Sequence, residues 1–417
     1  MLSLIRRNTA LRRIVIYQLL AGLQFGTFGL LLNLYLLSLG HREDLIGFIA
    51  SASTLALSFM ALAAGRIVQR FKLIHTIAGG FALSSVASLG IALSTQSVPL
   101  VLFSIASGAG LAMLQSLQMP LLAEHVASED RATGAAVVSA VATLSNTVGT
   151  LVGGFLPEFL RITGMGQIAR ERTALIGAVG IGLMALIPLL QLGRGEGPTQ
   201  TFSAAIGTNQ DDGTRSSTRR MIRNYAGATA LIAIGAGAFL PFVNVYLARL
   251  GANPGEIGGL LSLVGVAGAA LGLLAPTFAR WLGRERLSVF ARVVPILPAL
   301  ALIALPTIPL VVLTYGVRQV GAGMTWPIEA SILNDRIHPR ARPGAFGLRT
   351  AAWNIAWAGS SALSGQLIVR GGYNLPLVIL IASTILGGVV LSIVLRPTEA
   401  EREAAQKRQS AVGGYLP

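Results

Sequence analysis

Apolar runs long enough to cross a lipid bilayer recur along the whole of this 417-residue chain. About 20 residues of helix span the hydrocarbon core. That length fits twelve stretches: Ile14–Leu37, Leu45–Ala64, Ile74–Leu93, Pro99–Leu122, Gly134–Leu156, Ala174–Leu192, Tyr225–Leu247, Ile257–Phe278, Leu287–Ala304, Leu310–Leu333, Leu348–Val369 and Leu375–Leu395. Within a bilayer no water satisfies backbone N–H and C=O groups, so such stretches must be helices or close into a barrel. Their length selects helices. The predicted fold is an all-α membrane protein of twelve transmembrane helices. Only 12% of residues are charged, half the roughly 25% of soluble proteins. The ninth stretch is interrupted by Pro295 and Pro298. The first is too long for the apolar region of a signal peptide and is expected to be retained.

The net charge of +15 suggests nucleic acid in a soluble protein. Here the placement of the charge gives it another meaning. With the N-terminus in the cytoplasm, 24 of the 32 Lys and Arg residues, counting Arg349 at the start of the eleventh stretch, fall in the N-terminal arm, the loops after even-numbered spans and the C-terminal tail. Six fall on the other side: Arg42, Arg161, Arg170, Arg172, Arg249 and Arg370. Basic residues accumulate on the cytoplasmic face. The expectation is an integral inner (plasma) membrane protein with both termini cytoplasmic, partnered by the lipid bilayer and not by nucleic acid. With no cysteine in the chain, disulfides, thiolate–metal sites and thiol catalysis are excluded.

One segment breaks the apolar pattern. Residues 193–223 hold Gly195, Gly197, Pro198, Asp211, Asp212, Gly213 and a Ser/Thr/Arg cluster, a composition that buries no core. It divides the chain into 1–192, a six-helix half; 193–223, a cytoplasmic linker; 224–396, a second six-helix half; and 397–417, a cytoplasmic tail. The halves are related. At an offset of 211 residues Asn33 meets Asn244, Tyr35 meets Tyr246, Leu36 meets Leu247, Leu39-Gly40 meets Leu250-Gly251 and Ile46-Gly47 meets Ile257-Gly258. A second echo pairs Arg131-Ala132-Thr133-Gly134-Ala135 with Arg342-Pro343-Gly344-Ala345. Parallel repeats of this kind place a substrate site between the halves, near the bilayer midplane.

Twelve spans, a central linker and related halves resemble the major facilitator superfamily over nearly the whole chain. After span 2, Gly65-Arg66-Ile67-Val68-Gln69-Arg70-Phe71-Lys72 partly fills the family's loop signature, with Gln69 where the family usually has Asp and Lys72 where it has Gly. The equivalent loop after span 8 keeps Gly283-Arg284 and also lacks the acid. The resemblance implies gating roles for Gly65, Gln69, Arg70, Gly283 and Arg284, without the family's acidic latch. It also implies rocker-switch transport of a small molecule through a cavity lined by spans 1, 4, 7 and 10. In span 5, Gly149-Thr150-Leu151-Val152-Gly153-Gly154 is similar to a degenerate exporter motif; close helix contact is the plainer account of it.

Arg318 lies about nine residues into span 10, roughly 13 Å deep, where an uncompensated charge costs ~2.5–3.5 kcal/mol or more. It is expected to anchor an anionic or hydroxyl-bearing substrate, or else to pair internally. Glu329, eleven residues on, returns to the same helix face. It is a candidate proton-coupling carboxylate, the alternative being an ion pair with Arg336 or Arg349. Gln24, Gln115, Gln118 and Asn244 on spans 1, 4 and 7, with the aromatic Trp326 and Trp353, complete the expected substrate-binding set; helix-to-helix hydrogen bonding is the competing role. Glycine runs such as Gly108-Ala109-Gly110 follow no strand and lead to no Lys-Ser/Thr ending, so no nucleotide loop is read. No cofactor or metal is expected. The prediction is a secondary transporter, not an enzyme, probing an anionic or polar metabolite with proton coupling, and monomeric by preference. Export of amphipathic drugs is the alternative, and a polytopic membrane enzyme or a non-transporting sensor a remote one.

Overall fold

Helix ends in this chain are written by local chemistry, and two pairs of them repeat at the 211-residue offset. The structure, a computed structural model, describes residues 7–193, 212–338 and 341–396. The first half holds α1 Thr9–Ser38, α2 Glu43–Arg70, α3 Leu73–Leu93, α4 Ser97–His125, α5 Arg131–Phe159 and α6 Gln167–Met184, which resumes as Leu186–Leu192. The second holds α7 Asp212–Phe239, which passes a 3-10 turn at Leu240–Phe242 and resumes as Val243–Arg249, and α8 Pro254–Leu273, continued by Ala275–Leu282. It is completed by α9 Arg284–Val293 with Ile296–Ala304, α10 Ile308–Arg336, α11 Arg342–Gly371 and α12 Asn374–Val394. No strand occurs among the described residues.

Asn8 caps α1 by accepting from Leu11 N–H at 2.9 Å. Asn253 and Glu256 form a capping box at α8, each side chain accepting the other's backbone N–H at 2.9 Å, with Pro254 at the first helical position. α1 and α7 end alike. Gly40 and Gly251 take φ of +86° and +95°, where a Cβ is disfavoured. The turn bonds Gly40 N–H→Leu37 and His41 N–H→Leu36 reappear as Gly251→Ala248 and Ala252→Leu247, the paired geometry of a Schellman stop. The Arg131/Arg342 echo is structural too. Arg131 donates to the Val126 and Ala123 carbonyls; Arg342 donates to Ile337 and Asn334, the same positions one repeat later. Each arginine closes the C-terminal end of the preceding helix, where carbonyls lack partners.

Among the described residues, ten helices are long and apolar enough to cross a membrane. The other two, α10 and α11, are 29 and 30 residues long but carry Arg318, Gln319 and Glu329, or Arg349, Asn354 and Gln366. Pro295 breaks α9 as expected, whereas Pro298 lies within the helical segment Ile296–Ala304 and does not interrupt it. Helix α7 starts at Asp212, inside the stretch read as linker; residues 194–211 and the tail 397–417 lie outside the described residues.

The halves meet along two seams, α2 on α11 and α5 on α8. Both are glycine contacts, and both are the same contact. A methyl on Gly47 would sit 3.2 Å from Gly365 Cα; one on Gly258 would sit 2.8 Å from Gly154 Cα. Gly258 and Gly365 are the repeat equivalents of Gly47 and Gly154, so each seam is the other's image. Bare backbone there lets helices approach closely where no hydrophobic force drives them together.

Candidate functional site

Between the halves lies a cavity of about 890 Å³. Helical stripes build it. From α1 come Gln18, Phe25 and Asn33; from α5, Thr143, Asn146, Thr147 and Thr150; from α8, Val264, Gly265, Gly268 and Gly272; from α10, Tyr315, Gln319 and Gly323. The spacings of three, four and seven are those of single helix faces. Side-chain amides and hydroxyls supply the polar lining, and among the described lining residues none is acidic or basic.

One end of the cavity is shut. Asn33 Nδ2 donates to the Pro241 carbonyl at 2.8 Å and to Asn244 Oδ1 at 3.1 Å, and Asn244 Nδ2 donates to Leu30 O at 2.9 Å. Asn33 and Asn244 are repeat equivalents in mutual contact, as residues beside a two-fold axis must be. The α7 break at Pro241 frees a carbonyl, and Asn33 satisfies it. Further out, Glu43 accepts from Arg249 Nε at 2.9 Å and from Tyr373 Oη at 3.5 Å. Burial, with Glu43 adding to it, pushes the Tyr373 phenol above its ordinary range, which keeps the hydroxyl a donor. Ser51 donates to Ala358 O and Arg42 to Val369 O. Among the described residues, the side-chain bonds between the halves run from mid-helix to this end; Ser262 to Thr147 O, at 3.1 Å, is the most central.

Of the expected substrate set, Asn244 lines this cavity. Gln115 and Gln118 line a neighbouring recess of about 160 Å³ that shares Gln18 and Phe25 with it. The rest are elsewhere. Gln24 is six residues from Gln18, hence about 120° around α1; it is buried in the first half and accepts from Ser85 Oγ at 3.2 Å. Trp326 is half exposed, with the buried Arg349 guanidinium 3.5 Å from its ring centroid. Trp353 stacks on Trp357 with centroids 6.2 Å apart. Neither is among the lining residues of the cavity.

Arg318 lies outside the lining of the central cavity. Tyr315, Gln319 and Gly323 present one face of α10 to the cavity, so Arg318 and Ala322 turn the adjacent face into the second half, towards α9 and α12. Glu329 shares the Arg318 face as read, but its partner is Arg292, not Arg336 or Arg349. Arg292 donates to Glu329 Oε1 from Nε at 3.0 Å and from an Nη at 2.7 Å, and Tyr225 Oη donates to Oε2 at 3.1 Å. Gly65, Gln69 and Arg70, read from sequence as a loop, lie in the last turns of α2, where Gln69 and Arg70 are exposed and Gly65 has open space around it; Gly283, between helices, takes φ of +85°, and Arg284, at the start of α9, bonds Ser331 and Asp335 of its own half. Gly149 and Gly153 press on Leu23 and Thr27 of α1, so the span-5 glycines serve close packing.

The residues that sequence reasoning missed are Gln18, Asn146, Tyr315 and Gln319. The polar stripe Thr143-Asn146-Thr147-Thr150 on α5 was the available signal.

A model of the Major Facilitator Superfamily matches residues 14–318 and 225–414. The chain belongs to that superfamily. Superfamily membership makes it a polytopic membrane transporter of small molecules, not an enzyme. It is 23% identical to the uncharacterized MFS-type transporter YddS of Bacillus subtilis (strain 168) over 85% of this chain and 82% of YddS. It is 31% identical over 121 residues to the multidrug efflux pump SdrM of Staphylococcus aureus (strain N315). That match covers 28% of this chain and about a quarter, 27%, of SdrM. In structure it is similar to a mutant of the nucleoside transporter NupG, with a TM-score of 0.74 over 93% of this chain and 100% of that chain, at 14% identity. That likeness is one of fold.

Proposed function

We propose that this superfamily member carries a small, uncharged, hydrogen-bonding solute through the central cavity by alternating access, driven by protons. One observation carries the substrate class: both halves line the cavity with amides and hydroxyls, and its described lining holds no acid or base. An ionic solute would be stripped of water there without a counter-charge, which costs several kcal/mol. A polyhydroxylated solute exchanges its water for Gln18, Asn33, Asn146, Asn244 and Gln319. The metabolite expected from sequence is therefore polar rather than anionic.

Proton coupling rests on Glu329, the one buried carboxylate of the second half among the described residues. α10 carries both Glu329 and the cavity residues Tyr315 and Gln319. Protonation that loosens the Arg292 pair is thereby linked to the position of the cavity wall. With basic residues concentrated beside the open end, that end faces the cytoplasm.

The test is counterflow in proteoliposomes with labelled polyols, nucleosides, carboxylates and lipophilic cations. A neutral polar solute should exchange saturably, and Asn146→Leu or Gln319→Leu should cut the rate at least tenfold. Glu329→Gln should keep counterflow and lose uphill uptake in a pH gradient. Saturable flux of lipophilic cations alone would overturn this reading. It would favour drug export, the activity named for SdrM, for which the apolar cavity residues Phe25, Leu30 and Val264 are suited.

A further inference from the structure

We propose that the second half binds one small inorganic anion, of chloride size, in a chamber between α7, α9, α10 and α12, held by Arg318 and Arg292. The chamber is lined by both arginines, Thr384, Ile232, Leu380 and Ala322, among others. It shares no lining residue with the central cavity, so it is a separate site.

Charge is the first argument. A guanidinium stays protonated under any condition the fold survives. Arg292 is matched by Glu329. Among the described residues Arg318 makes no hydrogen bond or ion pair, and Arg292 and Arg318 border one chamber. The chamber thus faces one net positive charge inside an apolar bundle. Intramembrane cations pair with an acid, with carbonyls or with water-filled space; no acid and no carbonyl contact to Arg318 is present among the described residues.

Space is the second argument. The chamber holds about 20 Å³, while a single water needs roughly 10–15 Å³ on that measure. A monatomic anion fits. Donors are the third. Two guanidinium groups offer forked N–H donors. The Thr384 hydroxyl, which makes no hydrogen bond among the described residues, adds another. Ile232 and Leu380 supply the dry wall that strengthens such contacts. The anion would tie α9, broken at Pro295, to α10 and α12. The proposal does not depend on which solute the central cavity carries.

The experiment is thermal unfolding of the purified full chain in detergent, titrating sodium chloride into sodium gluconate at constant ionic strength. The melting temperature should rise saturably with chloride, and bromide should substitute for it. Arg318→Gln should raise the apparent halide Kd at least tenfold, and Thr384→Val should raise it less. Arg318→Leu, which removes the charge that needs matching, should melt at the same temperature in chloride and gluconate. Equal melting of the wild type in both salts overturns the proposal, as does an undiminished halide response in Arg318→Gln. If small organic acids stabilise the wild type and halides do not, Arg318 serves a substrate and the halide site is refuted. A counterflow assay on the same preparation tells failure of this site from failure of the transport reading.

Discussion

Adding one methyl group at Gly258 should shift the whole transporter between its two access states. That methyl would lie 2.8 Å from Gly154 Cα, 3.0 Å from the Thr150 carbonyl oxygen and 3.1 Å from Gly154 N. All three are backbone atoms, so no side chain can swing aside. Carbon atoms in contact sit about 3.5–4.0 Å apart, which makes α5 and α8 part by roughly 1 Å. Overpacking of that kind costs about 1–3 kcal/mol. The seam exists where the halves are closed together, so the cost falls on that state and moves the ratio of states by about 5–150-fold. The chain has no cysteine, so spin labels can be attached at introduced cysteines. Gln96 and Thr307 are exposed repeat equivalents at the closed end; Arg70 and Trp281 are exposed equivalents at the open end. In Gly258→Ala, double electron–electron resonance should show the 96–307 distance lengthening and the 70–281 distance shortening. Gly259→Ala is the control, because its nearest neighbour is a Phe155 ring carbon at 4.0 Å. Unchanged distances in Gly258→Ala, or equal shifts in the control, would refute the reasoning.

Two further predictions concern stability. Arg131→Ala and Arg342→Ala each remove two charge-assisted bonds to helix-end carbonyls, and each should cost about 1–3 kcal/mol, read as matching drops in melting temperature; a neutral result at one site alone would show that the repeat is not energetically equivalent. Arg292→Leu or Glu329→Leu alone strands a buried charge and should cost about 3–5 kcal/mol, whereas the double variant should recover most of the loss; strictly additive losses in a double-mutant melting cycle would sink the pairing.

Much of the fold was legible. The spans follow from apolar length, and the repeat followed from seven identities between positions 33–47 and 244–258. What those identities do was not legible. Asn33 and Asn244 meet across the pseudo-two-fold axis, and a sequence comparison shows likeness, not contact. The site was read less well. Eleven residues bring Arg318 and Glu329 to one face, but periodicity does not say which neighbour that face meets. The deepest charge drew attention to Arg318, while the plain stripe Tyr315-Gln319-Gly323 lined the cavity. Arg292 looked like a charge at the edge of a proline-broken span, and its partner Glu329 lay 37 residues away.

By itself the sequence determined that this chain is a bundle of membrane helices in two related halves. The bilayer leaves an apolar segment of that length no other way to satisfy its backbone, and two pairs of helix ends, those of α1/α7 and α4/α10, are closed by equivalent groups in both halves. Only the tertiary structure decided how each helix is turned about its own axis, and therefore that the central cavity is neutral while the charged pair is sealed within one half. That rotation is set by close fits such as Gly149 on Leu23 and Gly258 on Gly154. Such fits depend on surfaces distant in the chain, so no local stretch of sequence encodes them.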